Sequence, residues 1–152
     1  EAVKVEDEQH EFTVRKVFAA GIQQLIDYSI FAIPEGTTIS AMPLVCKSTS
    51  LENSAEYFSE QLTYMLSKHK KLKSVERKDL QFILQEIGIQ LSGLTNPENA
   101  VKVGTILNAD LLITGSLFFK DYKYVLFLKL LRVETAEILS VTKLKIDFRL
   151  GV

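Results

Sequence analysis

Cysteine is nearly absent: Cys46 is the only one in 152 residues. No intrachain disulfide can form, which excludes the disulfide-dense scaffolds of small secreted proteins. An excess of either charge is also missing. Eighteen Lys and Arg stand against nineteen Asp and Glu, so the chain has no broad positive field of the kind that nucleic-acid and anionic-membrane binders use. Apolar runs such as 110–119 and 124–128 fall far short of the ~20 residues a membrane-crossing helix requires. A phosphate cradle would need a Gly-rich loop opening a helix. Neither a Gly-Lys-Ser/Thr loop nor Gly-x-Gly-x-x-Gly occurs. His10 and His69 have no Cys or carboxylate at metal-ligand spacing, and both are expected at the surface. No cofactor and no metal are expected. The chain begins at Glu1 rather than Met, which suggests processing or trimming ahead of it.

What is there suits a substantial core. Hydrophobic residues make up 47% of the chain, enough for one globular domain over 1–152. A polar lead is expected at 1–11 and a long helix at 12–33, because Val14, Val17, Phe18, Gly21, Leu25 and Ile26 recur at helical spacing. Pro34 and Gly36 make a turn. Residues 38–46, apolar with little alternation, predict a strand covered on both faces and central in a sheet. Asn53 and Glu56 have the form of a capping box, with Ala55, Phe58, Leu62, Met65 and Leu66 striping the helix that follows.

Residues 72–76 predict a short strand. Leu80, Ile83, Leu84 and Ile87 mark a third helix ending near Gly88, and Gly93 marks a turn. Asn96-Pro97 opens a fourth helix, with Ala100, Val103, Ile106 and Leu107 expected on its buried side and Gly104 allowing close backbone approach. Strands are predicted at 111–119, 124–133 and 138–150, joined by hairpin-length connectors. Leu144, Ile146, Phe148 and Leu150 alternate with Lys143, Lys145, Asp147 and Arg149, the pattern of a strand with one buried face. The fold class is therefore α/β (α+β): a mixed five-stranded sheet in the order α-β-α-β-α-α-β-β-β, parallel at first and antiparallel over the last three strands, with helices packed on the sheet as in anticodon-binding domains.

Catalytic groups are hard to find. Cys46 in an apolar strand predicts a small buried side chain with a raised thiol pKa rather than a nucleophile. No Gly-x-Ser-x-Gly elbow occurs. Asp79 with Glu86 and Asp110 with Asp121 have no distinctive spacing and suit solvated caps. The basic run at 68–73 has only Tyr64 as an aromatic neighbour. Cations at a helix C-terminus are accounted for by the helix dipole, so no nucleic-acid partner is expected. Phe118, Phe119, Tyr122, Tyr124 and Phe127 crowd the first C-terminal hairpin. Core packing absorbs alternate members, and Phe119, Tyr122 and Tyr124 are candidates for a partner surface.

One stretch carries kinship. Val75-Glu76-Arg77 with Leu80, Leu84-Gln85-Glu86, Gly93, Ala100, Gly104, Ala109-Asp110 and Thr114-Gly115-Ser116 follow one another in an order that resembles the CsgG-type curli assembly and transport family. Its relatives are the FlgO-type flagellar outer-membrane proteins and the lipoprotein activators of penicillin-binding proteins. Residues 39–44 take the place of that family's first strand, and 55–66 its next helix. The resemblance makes Arg77, Leu80, Glu86, Gly93, Ala100, Gly104, Asp110 and Gly115 structural motif positions, with no catalytic residue among them. It implies a noncatalytic periplasmic domain, tethered to the outer membrane of a Gram-negative-type bacterium through a lipidated Cys ahead of Glu1, that binds envelope proteins or itself. The connections are too short for the two amphipathic hairpins with which secretion channels build a barrel. An activator-like or flagellar role is therefore expected ahead of a channel subunit. A small-ligand or nucleotide sensor using the crevice beyond the strand ends is the competing expectation.

Overall fold

The computed structural model describes residues 2–76 and 80–150, with the side chains of 8–76 and 80–149. Helix α1 spans Ala2–Asp27, strand β1 Thr37–Ala41, α2 Glu52–Ser67, β2 Leu72–Ser74, α3 Leu80–Ile87, α4 Pro97–Leu107, β3 Leu111–Lys120, β4 Lys123–Arg132 and β5 Ile138–Asp147. The expected element order holds. Strands lie in the order β2-β1-β3-β4-β5, with β1 parallel to both of its neighbours and the last three strands antiparallel.

Helix α1 begins and ends earlier than the expected 12–33. Nothing in 1–11 breaks a helix, and Glu11 meets Arg15 at 2.8 Å one turn on, so the polar lead continues the helix. After Asp27 the Ile30 N–H donates to the Leu139 carbonyl (3.0 Å), which draws the chain onto the edge of β5 and out of helical register. Val14, Phe18, Ile22 and Leu25 are buried, at the three-and-four spacing of a single face.

The expected strand 38–46 is shorter. It stops at Ala41 because Pro43 has no N–H to give the ladder. The chain returns at Val45, whose N–H donates to the Gly115 carbonyl (3.0 Å) and whose carbonyl accepts from Leu117 N–H (2.8 Å). Ser59 holds this segment to α2: Leu44 N–H donates to its Oγ (2.9 Å), and its hydroxyl donates to the Ala55 carbonyl (2.6 Å). The Asn53 capping box does not form: α2 starts at Glu52 with Leu51 in the cap position and no side-chain cap bond, and it is the preceding 3-10 turn Thr49–Leu51 that is capped, by Ser48 accepting from Ser50 N–H. Strand β2 ends at Ser74 rather than at residue 76. Helix α4 behaves as its sequence says: Asn96 Oδ1 accepts from Glu98 N–H (2.9 Å), Pro97 opens the helix, and Asn108 closes it at φ 59°.

Two cores result, one on each side of the sheet. Helices α1 and α2 bury Phe18, Phe58, Leu62 and Leu66 against Ile39, Ile113, Leu126, Leu128, Leu130 and Leu144. Arg15 stacks 4.3 Å from the Tyr64 ring and donates to Gln61 Oε1 (3.0 Å), tying the two helices together. On the other side α3, α4 and the 3-10 turn Leu91–Thr95 pack Leu84, Leu94, Ala100 and Val103 against Met42, Leu112, Leu131 and Val133. Ile106, expected in this core, is 50% exposed. The second layer covers β1, the start of β3 and the end of β4 beside it; Phe118, Phe127 and Val141 further along the same face are exposed. On β5 the expected alternation ends with Ile146, because Phe148–Leu150 turns into a 3-10 helix and leaves Phe148 45% exposed.

Candidate partner-binding surface

The C-terminal hairpin owes its shape to two residues. Asp121 and Tyr122 form a two-residue turn with φ 53° and 58°, the primed geometry that matches the twist of paired strands. The ladder runs from Leu111↔Arg132 to Lys120↔Lys123 without interruption. Side chains along β3 and β4 therefore sort strictly to alternate faces.

That sorting divides the expected aromatic surface. Tyr124 points to the α1/α2 side, where its ring stands edge-on to Phe58 at 5.1 Å and its hydroxyl accepts from Ser54 Oγ (3.2 Å). It is a half-buried packing residue and not a free contact group. Phe119 lies beside it at 5.3 Å but remains 47% exposed. Tyr122 at the turn is 74% exposed and meets Phe148 at 5.8 Å. Phe119, Tyr122 and Phe148 thus form an exposed aromatic rim at the hairpin tip. Phe148 was hidden in the sequence by its apparent place in the buried alternation of β5.

The remaining aromatics emerge on the opposite face. Phe118 and Phe127 meet at 5.8 Å with planes 78° apart, beyond the reach of α4. Around them a shallow depression of about 670 Å³ includes Lys120, Lys123, Lys143 and Lys145.

The motif positions fall in several different settings. Leu80 and Ala100 are buried in the second core. Gly104 and Gly115 have no room for a Cβ, which would stand 2.6 Å from Val133 Cγ2 in the first case and from Leu128 Cδ2 in the second. The Gly93 carbonyl accepts from Asn99 Nδ2 (3.1 Å) and from Asn96 N–H (3.1 Å), fastening the turn to α4. Asp110 joins three strands: its N–H donates to Thr38 Oγ1 (2.9 Å) and its carbonyl accepts from Val133 N–H (3.0 Å). Glu86 is exposed on α3. Arg77, like Asp79, lies outside the described residues.

Groups with chemical potential stay apart. Cys46 is half-buried beyond the end of β1, and burial followed by the Glu52 carboxylate pushes its thiol pKa up, the opposite of what a nucleophilic thiolate needs. The His69 pKa is lowered by burial and by Lys71. Its Nδ1 accepts from Lys71 N–H (3.2 Å), which leaves Nε2 as the donor to Gln23 Oε1 (3.2 Å). Among the described residues no group of three or more His, Cys, Asp or Glu is placed to hold a metal ion, and no helix is long and apolar enough to cross a membrane. A pocket of about 470 Å³ between residues 31–34 and the start of β3 holds Asp110 and Arg132. Arg132 there stacks on Phe31 (4.3 Å) and pairs with Glu137 (3.6 Å).

Comparison with known proteins agrees with this architecture. No curated protein sequence matches. Among solved structures the chain is similar to the LpoB C-terminal domain from Salmonella enterica, with 17% identity, TM-score 0.70, and 86% of this chain and 95% of that one covered. It is also similar to lipoprotein GNA1162 from Neisseria meningitidis, with 12% identity, TM-score 0.59, and 73% and 80% covered. A PelC dodecamer from Paraburkholderia phytofirmans matches with 10% identity, TM-score 0.50, and 76% and 74% covered. At these identities the likeness is one of fold. The family model of the curli production assembly/transport component CsgG matches residues 23–124, from the last turns of α1 to the first residues of β4. With more than half of its length matched by that model, the chain belongs to the CsgG family.

Proposed function

We propose that residues 1–152 form one noncatalytic domain of the bacterial cell envelope that acts by docking on a protein partner, in the manner of an activator or assembly factor. Membership of the CsgG family supports the envelope setting, and the likeness to a lipoprotein structure suits a periplasmic domain tethered to the outer membrane. The observation that carries the docking role is the exposed rim of Phe119, Tyr122 and Phe148 at the hairpin tip. A large aromatic group held on a rigid hairpin offers contact area at little entropic cost. Short connections on β3–β5, two residues at 121–122 and a tight turn at 133–137, leave no insertion there for a barrel hairpin, which favours docking over pore formation.

Solution mass and affinity capture from solubilised envelopes test this reading together. A defined self-assembly, or a discrete envelope protein whose retention falls in Tyr122→Ala and Phe119→Ala variants, is the expected outcome. A strictly monomeric chain retaining the same proteins with and without those side chains contradicts it.

A further inference from the structure

The hairpin carries a second surface, on the face that α3 and α4 leave bare. Strand register places Lys120 directly opposite Lys123, Phe127 opposite Lys143 and Val125 opposite Lys145. Like charges directly across a ladder destabilise a sheet. Next to a two-residue turn, where any polar pair would serve, the Lys120–Lys123 pair is thus a poor choice for stability. Edge protection explains lysines on β5, the outermost strand, but not those on β3 and β4. Among the described residues none of the four lysines forms an ion pair within 4.0 Å. Asp147, across from Lys123, is engaged by Arg149 at 3.1 Å. The depression holds four lysines and one carboxylate, Asp121, on a chain whose net charge is −1. Positive charge has been gathered here from a nearly neutral whole.

We infer that this bare face of β3, β4 and β5 receives an acidic protein segment, with an apolar side chain seated on Phe118 and Phe127 and its carboxylates on Lys120, Lys123, Lys143 and Lys145. Charge complementarity names the occupant, because four lysines face one carboxylate in the depression, none of them in an ion pair within 4.0 Å among the described residues, and the phenyl pair supplies the apolar seat between them. A single-stranded nucleic acid fits less well. Base stacking uses ring faces presented side by side, whereas these two rings stand 78° to one another. The inference rests on the docking role proposed above and gives the partner its chemistry.

The test uses the full chain and a labelled peptide alternating Glu with Leu. Its controls are a Lys/Leu peptide, an oligothymidylate and phosphatidylglycerol vesicles, all followed by fluorescence anisotropy or co-sedimentation. The Glu/Leu peptide binds, binding weakens as salt is raised, and Lys143→Glu with Lys145→Glu weakens it about tenfold, the scale of two lost surface ion pairs. Phe118→Ser with Phe127→Ser weakens it while leaving the salt dependence in place. Backbone resonance shifts on peptide addition fall on 116–129 and 141–147 of the native chain, so the result does not depend on a variant folding. Preference for the oligonucleotide or the vesicles, absence of peptide binding, or shifts confined to other strands overturns the inference. If the peptide fails while capture through Tyr122 persists, the acidic-segment inference falls and the docking role stands; if capture is also lost, both fall.

Discussion

Gly115 faces Leu128 across β3 and β4 so closely that a Cβ on it would lie 2.6 Å from Leu128 Cδ2 and 2.7 Å from Leu44 Cδ2. The Phe127 carbonyl oxygen, at 3.0 Å, closes the third side. Two side chains and a backbone atom would have to yield together, and close-packed interiors yield poorly. Gly115→Ala is therefore expected to lower stability by about 1–3 kcal/mol, read as a fall in the urea midpoint at unchanged slope. An unchanged midpoint would show that the β3–β4 face relaxes freely.

Gly104 gives a contrasting case. Its added Cβ would meet Val133 Cγ2 at 2.6 Å and Leu112 Cδ1 at 3.0 Å, but it lies in the interior of α4, where Ala in place of Gly is worth about 1 kcal/mol of helix propensity. Overpacking and propensity oppose each other. Gly104→Ala is expected to cost less than Gly115→Ala in the same denaturation series, and the reverse order contradicts the packing argument.

These glycines belong to the part of the fold that could be read without coordinates. Asn96-Pro97 announced α4 because cap chemistry is local, and the Lys143 to Ile146 alternation announced β5 because a two-residue period has one structural meaning. The failures were of another kind. Pro43 was visible, yet the bridge that lets the chain rejoin the sheet at Val45 depends on β3, far away in sequence. Asn53 has the form of a cap, but it lies inside α2, which continues directly from the 3-10 turn that Ser48 caps. Whether Phe118 and Phe127 are covered depends on how far α4 reaches across the sheet, which no spacing within the hairpin encodes. The candidate surface was thus legible as a set of aromatics, and its division into Tyr124 inside, Tyr122 at the tip and Phe127 on the opposite face was not.

Phe58 is fully buried and touches Phe18, Tyr57 and Tyr124 at 6.0, 5.6 and 5.1 Å. Phe58→Ala is expected to cost about 3–5 kcal/mol, since it removes the ring and leaves a cavity under Tyr124. Phe118→Ala, on the bare face, should change stability by no more than about 0.5 kcal/mol. Calorimetric melting of the two variants checks the pair, and a comparable loss in Phe118→Ala would mean that the bare face is part of the core.

Cys46 supplies a pH test. Its folded thiol pKa lies above the ordinary 9.0, first through burial and then through Glu52, so the folded chain holds this proton more tightly than the unfolded one. The contribution to stability is intact below the unfolded thiol pKa and is lost as pH climbs from about 9 through the folded value. Alkylation by iodoacetamide should be slower in the folded chain than in denaturant at equal pH, with its midpoint moved to higher pH. Glu52→Gln should move that midpoint part of the way back, and folded and unfolded chains titrating together would contradict the assignment.

Site-specific photo-cross-linking in intact cells bears most directly on the docking role. A benzophenone side chain is placed at position 122 on the hairpin tip and, as the comparison, at exposed position 86 on α3. The expected result is a discrete adduct from position 122, to one envelope protein or to a second copy of the chain, that is missing from position 86. Equal diffuse labelling from both positions, or no adduct from either, would contradict a docking surface at the hairpin.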